Sequence, residues 1–297
     1  MKLNIPNLLD SLEEVLKDDK TPKPDEKRQY RHNPSSASLK IGEEVVGACL
    51  RQLYYRATEL PVSNPQNFTS MLTAGFGTAI HDWFFKRLQE NPKLKIDPEV
   101  KGKAKVDPLT LEISYRVDGL VTHKGEKGGA ELKTKHGYSL QKKLQDSGPY
   151  WEDLAQIVTY FELEKELLWY ILVYVGRDSG YRAEYHIYRD YDDGMKLKIK
   201  PIVPDGRATE IKDITFEKIK ERWLMLEYYL DNKTVPPRDY KMVLKEDGTP
   251  TKERTKNKKK IESDKRCLYC NWQTYCWTQP DAYNASYNLE YFSENSK

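Results

Sequence analysis

Residues 110–133 read TLEISYRVDGLVTHKGEKGGAELK, and their pattern is the main indication of the fold. Branched and aromatic residues mark an extended segment before the Gly-rich turn, and a second, shorter extended segment follows that turn. We therefore expect a hairpin with Asp118 near the end of its first strand and with Glu131 and Lys133 on its second strand. Because residues two apart on a strand point to one face, Glu131 and Lys133 are expected to face the same space.

The segments on either side of this hairpin predict the strands and helices of an α/β fold. Strands are predicted at Leu94–Val106, Leu167–Val175 and Tyr181–Tyr188, and helices at Asn7–Asp18, Thr69–Gln89, Tyr150–Glu166 and Ile211–Leu230. The apolar run of Leu167–Val175 is typical of a central strand, with Tyr181–Tyr188 pairing beside it. Tyr240–Lys265 is expected to be a mobile loop.

Composition describes a polar globular chain whose 297 residues suffice for one large domain. No stretch approaches the roughly 20 apolar residues that cross a membrane, and Met1–Lys20 lacks the apolar core of a secretory signal. We therefore expect a cytoplasmic protein with no membrane partner. The net charge is only +3, but residues 251–260 (TKERTKNKKK) hold six basic residues and one acidic residue. Such a run either binds phosphates or forms a solvated loop.

The cysteines form a split pattern, with Cys267, Cys270 and Cys276 close together and Cys49 near the opposite end of the chain. Without secretion, four cysteines are expected to be metal ligands rather than two disulfides. Four thiolates hold either one iron–sulfur cluster or one zinc ion, and the spacing is not that of a zinc ribbon. In either case the metal would join the two ends of the fold.

The predicted hairpin carries the residue types of a metal-dependent phosphodiester hydrolase. Oxygen ligands from Asp118 and Glu131 suit Mg²⁺ or Mn²⁺, which polarise a phosphodiester and activate a bound water molecule. Lys133 is expected to position that water or to offset charge on the phosphate. His81 lies on a predicted helix and is either a third ligand or an ordinary structural histidine. A Glu-x-Lys triplet is also common in surface salt bridges, so the order of the motifs matters more than any one of them.

In that order the chain resembles the RecB-like branch of the PD-(D/E)XK nuclease superfamily in its iron–sulfur form, a group that includes CRISPR-adaptation nucleases and phage exonucleases. The resemblance covers about residues 35–280. The matching pieces are Cys49, Gly77-x-x-x-His81, Asp118-Gly119, Glu131-Leu132-Lys133, Gln156-x-x-x-Tyr160 and the terminal cysteines. It implies a restriction-endonuclease-like core, in which a central mixed β-sheet is flanked by helices.

The resemblance also implies a role for each of these residues. The implied ligands of Mn²⁺ or Mg²⁺ are His81, Asp118, Glu131 and the backbone carbonyl of Leu132. Lys133 would assist catalysis, and Gln156 and Tyr160 would organise the active site or the nucleic-acid strand. The implied cysteine ligands, Cys49, Cys267, Cys270 and Cys276, would hold a [4Fe–4S] cluster in preference to zinc. That cluster would sit in a helical region formed from both ends of the chain.

The expected domain organisation is an N-terminal helix and linker at 1–34, a nuclease domain at 35–280 and a tail at 281–297. The expected function is a metal-dependent DNA nuclease, an exonuclease preferring single strands or free ends, in recombination, repair or phage DNA metabolism. The alternative is a DNA-end-binding module that does not cut, or a nuclease subunit active only with a helicase, integrase or recombinase partner. The sequence does not define the polarity of digestion or a preference for DNA over RNA.

Overall fold

A computed structural model of the chain describes residues 30–278, except 190–196, 205–206, 208, 212, 246–249 and 257–258. The helix predicted at Asn7–Asp18 and the tail predicted at 281–297 lie outside the described residues. In the part of the chain that is described, no helix combines the length and the apolar character needed to cross a membrane.

In the described residues, the strands form one large mixed sheet and three small hairpins. In chain order they are β1 (Ser38–Ile41), β2 (Glu44–Gly47), β3 (Lys95–Ala104), β4 (Ile113–His123), β5 (Glu126–Lys135), β6 (Trp169–Gly176), β7 (Arg182–Arg189), β8 (Leu197–Val203), β9 (Thr209–Ile211), β10 (Val243–Leu244), β11 (Pro250–Thr251), β12 (Glu253–Lys256) and β13 (Lys259–Glu262). The large sheet has seven strands in the order β3-β4-β5-β6-β7-β8-β9. Within it, β5 and β6 are parallel and every other neighbouring pair is antiparallel.

Helices cover the sheet and join its two halves. They are α1 (Leu50–Ala57), α2 (Phe68–Gln89), α3 (Gly137–Ser147), α4 (Trp151–Leu163), α5 (Phe216–Asp231), α6 (Lys265–Leu268) and α7 (Gln273–Thr278), with one 3-10 turn at Pro34–Ser36. Helices α3 and α4 form the crossover that the parallel β5–β6 pair requires. The expectation of a central mixed sheet flanked by helices is therefore confirmed.

The predicted hairpin that carries Asp118 and Glu131 is present, with a tight turn at its tip. Lys124 and Gly125 both have positive φ angles, 52° and 83°, as a two-residue turn matched to the strand twist requires. Asp118 is not near the end of its strand, as predicted, but in the middle of the eleven-residue β4. The ladder between β4 and β5 stops at the pair Gly119–Ala130. Beyond that pair the strands separate, with β4 pairing on β3 and β5 pairing on β6.

The glycines of β5 let the neighbouring strand approach closely. A Cβ atom on Gly128 would fall 2.1 Å from the Trp169 ring, and one on Gly129 would fall 2.0 Å from the Tyr170 ring. Both distances are far inside van der Waals contact, so side chains at these positions would push β6 away. The Gly-Gly pair therefore fixes the register in which Glu131 meets Leu172.

Three apolar clusters hold the layers together. The largest lies between the sheet and helices α4 and α5, and includes the fully buried Tyr170 and Trp223. A second joins α1 to the C-terminal helices and contains Cys267 and Cys276. A third packs α2 against β3, β4 and β5 through Phe85 and Leu132. Helices thus cover both the region around Asp118 and the region around the cysteines.

Two boundary predictions were wrong. The helix predicted at Ile211–Leu230 begins only at Phe216, because Thr215 caps it by accepting a hydrogen bond from the Lys218 amide, and Ile211 belongs to β9. The loop predicted at Tyr240–Lys265 contains the paired strands β10–β11 and β12–β13 in its described residues. The run of charged residues in this segment hid the alternation by which strands are recognised in a sequence.

Candidate functional site

Helix α2 places His81 against Asp118 on β4. His81 Nε2 lies 3.3 Å from Asp118 Oδ1, yet it is buried and outside hydrogen-bond geometry, so it lacks a hydrogen-bond partner. The Phe85 ring packs against the imidazole at 4.7 Å and limits its rotation. The Asp118 carboxylate raises the pKa of His81. A nitrogen and a carboxylate oxygen therefore converge on one point from two different elements.

Asp118 also ties the separated strands together. Its Oδ2 accepts a hydrogen bond from the Leu132 amide at 3.1 Å. That amide is available because the β4–β5 ladder has already ended at Gly119–Ala130. The side chain of Leu132 is buried beside Phe85 in the cluster under α2. The separation of the strands thus creates the space in which Asp118 is held.

Glu131 is the most deeply buried carboxylate of the site, with 3% of its surface exposed. Its Oε1 accepts hydrogen bonds from Lys133 Nζ at 2.7 Å and from Gln156 Nε2 at 2.9 Å. Its Oε2 is buried and has no hydrogen-bond partner. Burial raises the pKa of Glu131 to about 7, against the lowering effect of Lys133. An unpaired buried carboxylate oxygen is costly, and a bound cation would remove that cost.

Lys133 is surrounded by acceptors. Its Nζ contacts Glu131 Oε1, lies 2.7 Å from Gln156 Oε1, and lies 3.8 Å from Asp153 Oδ1. Burial acts to lower the pKa of Lys133, but the carboxylates of Glu131 and Asp153 outweigh it and the net shift is upward. The ammonium group therefore stays charged at neutral pH. The sequence interpretation missed Asp153, whose signal was its position on α4, three residues before Gln156.

Gln156 and Tyr160 form a buried hydrogen-bond relay from α4 to the sheet. The Gln156 amide nitrogen donates to Tyr160 Oη at 2.8 Å as well as to Glu131. The Tyr160 hydroxyl in turn donates to the Arg116 carbonyl at 2.6 Å. The Tyr160 ring stacks on Tyr170 at 5.8 Å. Tyr160 is thus packed inward, and it sets the position of Gln156 rather than reaching the solvent.

The structure assembles the predicted site residues in two groups. His81 meets Asp118, and Glu131 meets Lys133 and Gln156, while Asp118 is close enough to raise the pKa of Glu131 electrostatically. Among the described residues, no three side chains of His, Cys, Asp and Glu are grouped as a ready-made metal site. The unpaired His81 Nε2 and Glu131 Oε2 nevertheless fit a divalent cation, since one imidazole nitrogen with carboxylate oxygens suits Mn²⁺ or Mg²⁺. The Leu132 carbonyl stays a predicted ligand.

The four cysteines line one cavity between α1 and the C-terminal helices. Cys49 immediately precedes α1, Cys267 lies in α6, Cys276 lies in α7, and Cys270 lies in the turn between those helices. All four are free thiols. Residues from the two ends of the described chain therefore meet at a single place.

The thiols of this cavity are electrostatically coupled. Burial raises the pKa of Cys49 to about 12, with further upward contributions from Asp239 and Cys276. Burial and the neighbouring cysteines also raise the pKa of Cys267 and of Cys270. Thiols with raised pKa values are poor nucleophiles, and metal binding is what would hold them as thiolates.

Two buried arginines point at the same sulfur atom. Arg238 Nε lies 3.3 Å from Cys276 Sγ, and Arg51 Nη1 lies 4.0 Å from it. Both side chains are buried, and within the described part of the chain no carboxylate lies within ion-pair distance of Arg51. A buried cation such as Arg51 needs a compensating negative charge, which metal-bound thiolates in this cavity would supply. The sequence interpretation missed both arginines, because single arginines in unrelated segments form no pattern.

No protein-family model and no curated protein sequence matches the chain. Among solved structures, SSO0001 matches with a TM-score of 0.46 and 14% identity, over 91% of this chain and 96% of that chain. LHK-Exo, an alkaline exonuclease from Laribacter hongkongensis, matches with a TM-score of 0.37 and 17% identity, over 62% of this chain and 78% of that chain. Its complex with dAMP matches with the same TM-score and coverage and 18% identity. These values do not assign a family or an activity, so a function has to be inferred from the side chains of this chain.

Proposed function

We propose that this chain is a metal-dependent DNA nuclease with a restriction-endonuclease-like core. The observation that carries the proposal is the pair of unsatisfied buried atoms, His81 Nε2 and Glu131 Oε2: the first lies 3.3 Å from Asp118 Oδ1, and the carboxyl of the second is close enough to Asp118 for its pKa to be raised by it. Two such atoms next to a charged lysine are expected where a cation and a phosphate bind together.

The ligands of that cation would be His81, Asp118, Glu131 and the carbonyl of Leu132. When bound there, Mn²⁺ or Mg²⁺ would polarise the phosphodiester and lower the pKa of a water molecule. The arrangement of Asp118 supports this role, because its Oδ2 is fixed by the Leu132 amide while its Oδ1 stays beside His81. One carboxylate oxygen is thus positioned by the fold and the other is left for the cation.

The chain's own groups would act on the attacking water and on the phosphate. In the reaction the water oxygen forms a bond to phosphorus, an ester P–O bond breaks, and the leaving oxygen takes up a proton. Lys133, kept charged by Glu131 and Asp153, would orient the water or offset the charge on the phosphate. Gln156 would hold Lys133 and Glu131 in place by bonding to both.

The cysteine cavity is proposed to bind a [4Fe–4S] cluster, with Zn²⁺ as the alternative. A cluster held by four thiolates is a buried anion, and Arg51 and Arg238 provide positive charge at Cys276. The role of the cluster would be structural. It would join α1 to α6 and α7 and so keep the second apolar cluster closed.

The substrate is proposed to be DNA, single-stranded or with free ends, on the basis of the family resemblance alone. A helicase, integrase or recombinase partner is proposed on the same basis. The basic segment that contains β12 and β13 is a candidate to contact phosphates outside the active site.

The decisive experiment is degradation of end-labelled single-stranded DNA by the full, metal-loaded chain with Mn²⁺ or Mg²⁺. The test variant is Asp118→Asn, and the matched control is Asp97→Asn, an exposed carboxylate on the neighbouring strand β3. We expect cutting by the parent and the control and none by Asp118→Asn. The label released would give the polarity of digestion.

Two results would overturn the proposal. If Asp118→Asn cuts as fast as the parent, the active site lies elsewhere. If the parent binds DNA without cutting it, alone and with a helicase partner added, the chain is a DNA-end-binding module.

A further inference from the structure

Strand β5 continues past the proposed active site and places a second lysine on the same face. Glu131, Lys133 and Lys135 alternate along the strand, so their side chains share one side of it. Two residues along a strand correspond to about 6.6 Å, which puts Lys135 about one nucleotide step beyond Lys133.

Lys135 meets a lysine from another element at one aromatic ring. Lys135 Nζ lies 4.9 Å from the centre of the Tyr150 ring, and Lys143 Nζ, from α3, lies 5.3 Å from the same centre. Both lysines are half-buried, whereas the adjacent Lys142 is exposed. Among the described residues, neither ammonium group has a carboxylate within ion-pair distance. Two ammonium groups from different elements therefore lie against one aromatic ring, and Glu152 and Asp146 act on Lys143 only at longer range.

Tyr150 is not free to move away from this position. Its amide donates to Tyr174 Oη at 3.1 Å, and the two rings pack at 5.8 Å. The Tyr174 hydroxyl donates to Asp153 Oδ2 at 2.8 Å, and Asp153 Oδ1 faces Lys133. The lysine pair is thus connected to the active site through buried hydrogen bonds, which makes its position relative to Lys133 reproducible.

We propose that Lys135, Lys143 and Tyr150 form a binding subsite for the strand phosphate next to the one that is cut. The inference rests on the proposed nuclease function and deepens it. Lysine ammonium groups bind phosphate as point charges, without reading the base, so the subsite holds the strand in register independently of sequence. A phosphate that contacts both ammonium groups would gain two charge-assisted hydrogen bonds.

The test measures binding of a fluorescent single-stranded oligonucleotide by the full chain in an Asp118→Asn background. Lys135→Gln/Lys143→Gln is compared with Lys127→Gln/Lys142→Gln, which removes the same charge at two exposed lysines. The salt dependence of log Kd is expected to weaken by about 0.7 in the first variant, since the subsite neutralises one phosphate and each phosphate of a single strand contributes about 0.7. The control is expected to keep the parent slope, and Lys135→Arg/Lys143→Arg is expected to restore it.

A scan with one neutral methylphosphonate linkage at a time locates the contact. The parent is expected to lose about tenfold in affinity at one linkage next to the cut, and the Gln variant is expected to lose nothing further there. If free phosphate or a mononucleotide competes equally well in the parent and in the Gln variant, then the two lysines do not form a binding site for the released product. An unchanged salt slope in the Gln variant, when the unmodified chain binds and cuts DNA, would overturn the subsite alone. A parent that neither binds nor cuts would overturn the subsite and the proposed function together.

Discussion

The carboxylate–lysine site and the cysteine cavity differ in how far the protein alone satisfies them. Around Glu131 and Lys133, hydrogen bonds from Gln156 and Tyr160 account for nearly every polar atom, and one carboxylate oxygen is left over. Around the cysteines, burial raises the pKa of Cys49, Cys267 and Cys270, and two buried guanidinium groups point at Cys276. If the proposed ions bind, the first site is already held in place by hydrogen bonds, whereas the thiols of the second site would gain their negative charge from binding the metal. We therefore expect ion loss to stop activity at the first site and to loosen the fold at the second.

The largest effect is expected at Glu131. Glu131→Gln keeps the shape and one acceptor but removes the charge, so cutting of single-stranded DNA should fall at least about a thousandfold, or about 4 kcal/mol in the barrier. The Tm should change far less than in a cysteine variant, because the hydrogen bonds from Gln156 and Tyr160 do not need the ion. Steady-state rates and a thermal melt measure both quantities. A large fall in Tm would contradict the expected difference between the two sites, because it would show that the ion at this site stabilises the fold.

The cysteine cavity should show the opposite response. Cys276→Ser should lower the iron content and the Tm, with a loss of about 3 kcal/mol or more in the free energy of unfolding, because metal binding stabilises only the folded state. Iron analysis and thermal melts of anaerobically prepared protein measure the effect. The control is the parent treated with a chelator, which should melt at the same temperature as the variant. If the parent contains one zinc ion per chain, the bound metal is zinc and not an iron–sulfur cluster. If the metal-free parent has the same Tm, the cavity is not a structural metal site.

The arginines beside Cys276 test the same difference between the two sites, with a smaller expected effect. Arg51→Gln should speed the loss of metal from the cavity by about tenfold, since partners of metal ligands contribute about that much to affinity. Arg51→Lys should increase the rate of metal loss by less than Arg51→Gln does. Arg87→Gln, which changes an exposed arginine on α2, should not change the rate. The release of iron to a chelator under argon gives the rates. Equal rates in all four proteins would mean that the guanidinium group does not act on the metal.

A buried pair outside both regions gives the smallest effect and an internal reference. His32 Nε2 bonds Glu227 Oε1 at 2.8 Å, and Glu227 also accepts from the Thr110 and Leu111 amides. Burial lowers the pKa of His32, so the folded protein keeps it neutral while the unfolded chain protonates near pH 6.5. Stability from this residue is thus present above about pH 6.5 and is lost as the pH falls below it, by up to about 1.4 kcal/mol per unit.

Urea unfolding between pH 7 and pH 5 checks this dependence. The slope should flatten in His32→Gln and should stay the same in chelator-treated protein, because neither metal region contains His32. A slope that disappears on chelation would show that the acid response belongs to one of the two proposed metal sites instead.

The hairpin and the helix of Gln156 and Tyr160 were predictable from the sequence because their signals are local. Alternation over β4, the Gly-rich turn and the four-residue spacing on α4 are all read within one segment. The end of the β4–β5 ladder at Gly119 was not predictable, because it depends on which third strand competes for each partner. The contribution of Asp153 was missed for a related reason. A first-turn aspartate on a helix ordinarily serves the helix N-terminus, and only the crossover brings this one to Lys133.

The crossover between β5 and β6 affects the order in which the residues of the proposed active site come together during folding. Strands β3, β4 and β5 are sequential and antiparallel, so their pairing closes short loops and is fast. The parallel partner of β5 follows residues 136–168, which include two helices, so this pairing closes a longer loop. We therefore expect Asp118, Glu131 and Lys133 to come together in an early, local step, and Gln156 and Tyr160 to reach them in a later, slower one. A chain that has completed only the first step has native hairpin structure but cannot yet hold its lysine in place.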